Sequence, residues 1–153
     1  MRVALYEPDI PQNTGAILRL ASCFSISVDI IEPCGFVFSN RRLKRSGMDY
    51  IDKVNLKLHA SWKRFYEEQQ ANGKVRIILL TTKGSISHTD FNFHSNDVLL
   101  LGRESAGVPK AVHMAADARI IIPIAPETRS LNIASSAAIV LGEALRQTDA
   151  YPK

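Results

Sequence analysis

The segment Glu127-Thr128-Arg129-Ser130-Leu131-Asn132 sets six residues, five of them polar, between the prolines Pro123 and Pro126 and a long apolar stretch. Hydroxyl, amide and charged groups gathered in this way can bind a ligand, and Asn132 or Ser130 can also cap the helix that follows. A second stretch, Gly102-Arg103-Glu104-Ser105-Ala106-Gly107, holds one carboxylate between two glycines, which let a backbone approach a ligand or turn tightly. Thr81-Thr82-Lys83-Gly84 is a third polar stretch. Near the start, Asn13 is either a helix cap or a binding group, and Arg19 either a solvated charge or a ligand contact. In Arg41-Arg42-Leu43-Lys44-Arg45 four of five residues are cationic, which fits a solvated face or a phosphate-binding surface.

Several chemistries lack their signatures. There is no G-x-G-x-x-G, no G-x-x-x-x-G-K-[ST] and no G-x-S-x-G, and the four histidines show neither metal-ligand spacing nor a triad arrangement. Two cysteines, Cys23 and Cys34, form no C-x-x-C, so a reduced, cytoplasmic protein without a metal is expected. The first residues carry only a four-residue apolar run before Glu7 and Pro8, unlike a signal peptide or membrane anchor. A net charge of +4 and a pI near 9.2 favour a polyanionic partner.

The elements that must position these groups follow from periodicity. Residues 3–6, 27–31, 76–81, 97–101 and 120–122 are apolar runs suited to buried strands, and 54–58 alternates like a half-exposed one. Helices are expected after the loop 7–13, with Ile17, Leu20, Ala21 and Phe24 on one face, over 62–71 behind Ser61, briefly after Pro109, and from Ile133 to Gln147. The last is so rich in apolar and small residues that it should be buried nearly all round, in a monomer core or a subunit interface. Alternating strands and helices in 153 residues predict one α/β domain with a mainly parallel sheet. If the strands ending near residues 81, 101 and 122 are neighbours, their three polar loops meet in one pocket.

The motifs E-P-D-I-P-Q-N-T-G-A-I-L-R, L-G-R-E-S-A-G-V-P and I-P-I-A-P-E-T-R-S-L-N-I-A-S-S-A-A-I-V-L-G-E-A-L-R-Q resemble, in order and spacing, the three signature motifs of the SPOUT class of RNA methyltransferases. The resemblance covers residues 1–147 and is nearest to the short TrmH-like branch, in particular its TrmL-like tRNA wobble-nucleotide ribose 2′-O-methyltransferases.

That resemblance implies a single SPOUT domain with a C-terminal trefoil knot, its knot and cofactor loops at about 79–147, an exception to the rule that chains do not thread loops. It implies S-adenosyl-L-methionine as cofactor, S-adenosyl-L-homocysteine as product, tRNA rather than DNA as substrate, no membrane association, and a homodimer joined by the first and last helices. Position by position it assigns Thr81, Thr82, Gly84, Gly102, Glu104 and Gly107 to the cofactor, together with Ile122, Ile124, Ser130, Leu131 and Ala134. Asn13, Arg19, Glu104, Ser130 and Asn132 become the catalytic set, with Asn13 and Arg19 supplied by the opposite subunit. Arg41, Arg42, Lys44, Arg45 and Lys83 become candidate RNA contacts. Two departures, Arg103 and the pair Ala134-Ser135, fall on the rim where substrate choice is made.

Overall fold

Uninterrupted apolar runs become parallel strands covered on both faces. The computed structural model describes residues 1–39, 51–71, 73 and 75–153, so the cationic residues Arg41, Arg42, Lys44 and Arg45 lie outside the described residues. The described strands are β1 (Arg2–Tyr6), β2 (Ser27–Ile31), β3 (Leu56–His59), β4 (Ile77–Leu80), β5 (Ile86–Ser87), β6 (Val98–Leu101) and β7 (Ala118–Ile121). They form one sheet in the order β3-β2-β1-β6-β4-β7-β5, and every pairing between them is parallel. The helices are α1 (Pro11–Cys23), α2 (Trp62–Ala71), α3 (Lys110–Ala115) and α4 (Ile133–Gln147).

Alternate strand residues feed two cores. Val3, Leu5, Val28, Ile30, Ile78, Leu99 and Ile120 pack under α1 and α4, whereas Ala4, Tyr6, Ile31, Ile77, Leu79 and Leu100 pack with Phe65 of α2 and Val112 of α3. Each buried aliphatic side chain contributes about 1.5–3 kcal/mol, so these two layers fix the sheet that presents the loops at its carboxyl edge. The parallel arrangement puts the carboxyl ends of β6, β4 and β7 side by side, as the three-loop pocket required.

The structure corrects several local expectations. Helix α1 begins at Pro11, inside what sequence reads as loop, because proline at the first helical position has no N–H to satisfy. Its N-cap is Ile10, without a side-chain cap, so Asn13 lies in the first turn rather than capping it. Pro109 is the N-cap of α3, one position before the first turn. Strand β7 starts at Ala118 and stops at Ile121, leaving Ile122 outside it. The two-residue edge strand β5 was not expected, since two residues carry no period.

Helix α4 is not buried all round. It turns Ala137, Val140, Leu141, Ala144 and Leu145 into the core, against β6 and α1, and leaves Ser135, Ala138, Ile139 and Arg146 exposed. Its cap agrees with expectation: Asn132 Oδ1 accepts from the backbone N–H groups of Ala134 at 2.8 Å and Ser135 at 3.3 Å. No helix among the described residues is long and apolar enough to cross a membrane.

Candidate active site

Beyond the ends of β4, β6 and β7 lies a cavity of about 570 Å³, within the range of roughly 300–1,000 Å³ usual for small-molecule sites. Its floor is apolar, from Leu79, Leu80 and Leu101 at the strand ends to Ile122 and Ile124 beyond β7. Its polar rim combines Thr81 and Thr82 after β4, residues 102–108 after β6, residues 129–132 before α4, and Asn13 from α1.

The loop after β6 is shaped by its two glycines. Arg103 and Gly107 exchange backbone hydrogen bonds of 2.9 and 2.8 Å, closing a tight turn that Gly107 completes with φ of +65°. A Cβ on Gly102 would stand 2.7 Å from the Gly107 carbonyl carbon, so this wall of the cavity has to be bare backbone. Gly84 lies outside the cavity and packs on β7 instead, where an added Cβ would meet the Ile120 carbonyl carbon at 2.6 Å.

Glu104 is the centre of a polar chain. Asn13 Nδ2 donates to Glu104 Oε1 at 3.3 Å, Asn132 Nδ2 donates to Asn13 Oδ1 at 2.9 Å, and Asn132 in turn caps α4. One hydrogen-bonded line therefore joins α1, the β6 loop and α4. The Asp9 backbone N–H donates to Glu104 Oε2 at 3.1 Å, while Asp9 Oδ1 accepts from the Glu104 N–H at 3.1 Å and Oδ2 from the Ser105 hydroxyl. Arg103 ties the same loops together, its guanidinium lying 3.4 Å from Glu7 and 3.6 Å from Asp9.

These contacts drive the two acids apart in acidity. Burial, and then the hydrogen bond with Asp9, push the Glu104 carboxyl above the ordinary glutamate value. Asp9 is held down to about 2, first by its hydrogen bond with Glu104 and further by the Ser105 hydroxyl, the Glu104 N–H and the Arg103 charge. As pH falls, the first proton taken up by this pair resides on Glu104.

Of the residues singled out from sequence, Asn13, Glu104, Ser130 and Asn132 come together in the cavity, and so do Thr81, Thr82, Gly102, Gly107, Ile122, Ile124 and Leu131. Outside its lining stand Gly84, Ala134, whose N–H is engaged by the Asn132 cap, and the exposed Lys83. Arg19 is exposed on α1 and does not line this cavity; six residues after Asn13, it stands about 120° away from it round the helix. Asn13, expected to serve the opposite subunit, has its amide engaged with Glu104 and Asn132 of its own chain. Sequence reasoning missed Ile10, Arg129 and Ser136 among the lining residues; Arg129 had a signal, its place directly before Ser130 in the polar turn. Among the described residues no group of three or more metal-ligating side chains is assembled.

A parallel α/β domain with a ligand cavity beyond three adjacent strand ends, rimmed by glycine-bearing and polar loops, is the architecture of a small-molecule-binding enzyme. The chain belongs to the SpoU rRNA Methylase family, a methyltransferase family whose pattern matches residues 1–142. It is 55% identical over 151 residues to a tRNA (cytidine(34)-2′-O)-methyltransferase of Beijerinckia indica subsp. indica, a match covering 99% of this chain and 94% of that protein. A solved structure giving insights into the 2-OH methylation of C/U34 on tRNA superposes with a TM-score of 0.87 at 37% identity, covering 95% of this chain and 94% of the other. An AdoMet-bound rRNA methyltransferase from Sinorhizobium meliloti superposes with a TM-score of 0.84 at 30% identity, over 95% of this chain and 55% of its own. The resemblance carried by the three sequence motifs thus holds at the level of family and fold.

Proposed function

We propose that the chain methylates the ribose 2′-hydroxyl of the wobble nucleotide of tRNA, cytidine or uridine 34, using S-adenosyl-L-methionine. One observation carries this reading: in a chain so similar over its whole length to a tRNA (cytidine(34)-2′-O)-methyltransferase, Asn13, Glu104, Ser130 and Asn132 converge on one rim of the cavity. Only RNA offers the 2′-hydroxyl, and an anticodon loop can splay out a single nucleotide for attack.

The cavity suits the cofactor. The bare backbone at Gly102 and Gly107, where a Cβ on Gly102 would strike Gly107, lets a polar ligand reach main-chain groups, and Leu101, Ile122 and Ile124 supply apolar contact. Thr81, Thr82, Gly102, Glu104, Gly107, Ile122, Ile124, Ser130 and Leu131 would hold it, with Gly84 and Ala134 supporting them from behind. Bound there, S-adenosylmethionine would supply an electrophilic methyl group, with S-adenosylhomocysteine as the product.

The chain's own residues align the acceptor and relieve it of its proton. Asn13 and Asn132, fixed by each other and by Glu104, orient the ribose beside Ser130. Glu104, less acidic than an ordinary carboxyl, takes the 2′-hydroxyl proton. A guanidinium is a poor base, so Arg19, contributed by a second subunit, stabilises alkoxide charge and contacts phosphate instead. The homodimer this requires is supported by the exposed Ala138 and Ile139 on α4. A single knotted domain, working in the cytoplasm with Arg41, Arg42, Lys44, Arg45 and Lys83 on tRNA phosphates, completes the reading.

The test is methyl transfer from labelled S-adenosylmethionine into unmodified bulk tRNA, followed by nucleoside analysis and mapping. Label on a 2′-O-methylated nucleotide 34 is the expected result; label elsewhere, or only in ribosomal RNA, overturns the assignment.

A further inference from the structure

Asp9 does not line the cavity, yet it hydrogen-bonds Glu104 and Ser105 and pairs with Arg103, three consecutive residues of the loop after β6. We infer that Asp9 is a positioning residue: it clamps the 102–107 loop from outside and thereby sets the Glu104 carboxyl against Asn13. This rests on the proposed reading of Glu104 as a group that works on the substrate.

The clamp is reciprocal. The Asp9 N–H donates to Glu104 Oε2 and the Glu104 N–H donates to Asp9 Oδ1, both at 3.1 Å, so side chain and backbone of each residue are engaged with the other. The second Asp9 oxygen accepts from the Ser105 hydroxyl and lies 3.6 Å from Arg103 Nε. Three consecutive residues of the loop are therefore gripped by one carboxylate, itself only 16% exposed. Because Asp9 sits two positions before Pro11, the grip also fixes where α1 begins, and hence where Asn13 stands relative to Glu104.

Asp9 is itself held from behind. The Gly35 N–H donates to the Pro8 carbonyl at 2.9 Å, and a Cβ on Gly35 would fall 2.7 Å from the Asp9 Cβ and 2.9 Å from its Cα. Glycine at 35 is what allows the loop after β2 to press Asp9 onto the 102–107 loop. The charged groups around Glu104 are Asp9 and Arg103, with Glu7 beyond Arg103 and Arg129 on the same cavity.

The experiment compares wild type, Asp9→Asn, Ser105→Ala and Gly35→Ala by two readouts. The first is the carboxyl ¹³C titration of Glu104, assigned with Glu104→Gln. The second is kcat for tRNA methylation alongside the Kd for S-adenosylmethionine. Asp9→Asn should shift the Glu104 titration to lower pH, because it removes the adjacent negative charge, and should lower kcat about tenfold or more with cofactor Kd changed less than about threefold, a difference of roughly 1.4 against 0.7 kcal/mol. Ser105→Ala and Gly35→Ala should move both in the same direction by smaller steps, and Asp9→Glu should restore most of kcat. A Glu104 titration unmoved in Asp9→Asn, or a shifted titration with full kcat, overturns the proposal. The titration reads the clamp whether or not tRNA is the substrate, so a wild type inactive on tRNA would count against the assigned reaction alone.

Discussion

Asn132 reaches across 119 positions of the chain to donate its amide to Asn13 Oδ1 at 2.9 Å, and with its own Oδ1 it caps helix α4. One side chain thus fixes the start of a helix and the pose of a second polar group in the cavity. Asn132→Ala should lose about 1 kcal/mol of stability from the missing cap. It should lose far more in methyl transfer, about a hundredfold, because Asn13 is set free as well. Urea denaturation and single-turnover rates separate the two effects; a variant that loses stability but keeps its rate would remove the Asn13–Asn132 pair from the mechanism.

Glu104→Gln keeps the size of the side chain and an oxygen for the Asn13 amide, but removes the group assigned to take the proton. A loss in kcat of about 10²-fold or more is expected, in the range typical of general-base removal, with cofactor affinity nearly unchanged in calorimetry. A variant turning over at the wild-type rate would confine Glu104 to holding the loop.

The two glycines of the 102–107 loop should respond differently to alanine. At Gly107 the added Cβ meets nothing within 4 Å, and only the φ of +65° opposes it, at a cost of about 1–2 kcal/mol. At Gly102 the Cβ would collide with Gly107 backbone at 2.7 Å, and the loop itself must shift. Gly102→Ala should therefore weaken S-adenosylmethionine by more than about tenfold, and Gly107→Ala by less, as read by calorimetry. The opposite order would mean that the wall at Gly102 does not contact the cofactor.

The acid pair predicts a pH dependence of stability with two signs. The raised Glu104 contributes stability that is fully present below the ordinary glutamate pKa of ~4.3 and is lost as pH rises through its folded value. Asp9 acts oppositely: its contribution is present above ~3.9 and is lost as pH falls through about 2. As pH rises above ~4.3, Glu104→Gln should gain on wild type, whereas Asp9→Asn should be level with wild type near pH 2, fall behind it as pH rises to ~4, and keep a constant deficit above that. Denaturant titrations across this range give both curves; parallel curves for wild type and Glu104→Gln would contradict the raised carboxyl.

Ile139 is 41% exposed on α4 of the single chain, beside exposed Ala138. If that face joins two subunits, Ile139→Asp should halve the mass measured by analytical ultracentrifugation and abolish methyl transfer, while leaving the Glu104 titration in place. Wild-type protein sedimenting as a monomer at micromolar concentration would rule out this interface.

Much of this architecture was legible in the chain. The short apolar runs announced β1, β2, β4 and β6 within a residue or so, since a parallel strand buried on both faces has no polar face to show in its sequence. Glycine, proline and clustered polar residues marked the loops after β4, β6 and β7, and Asn132 carried its cap in its side chain. Asn13 was read as a cap or a binding group because local spacing cannot see a partner 91 positions away. Asp9 was passed over for the same reason: an acid between two prolines looks like loop until Glu104 and Ser105 are brought against it.

Sequence alone determined the α/β class, the family and the polar residues available for chemistry, because hydrophobic period and motif spacing are local properties of the chain. Only the tertiary structure decided which of them meet. The order β6-β4-β7 set three loops side by side, left Gly84 under β7 and Arg19 outside the cavity, and joined Asp9, Glu104, Asn13 and Asn132 into one line. The physical reason is that strand order in a parallel sheet is chosen by the packing of two hydrophobic layers, each drawing residues from the whole chain, and no segment contains that information by itself.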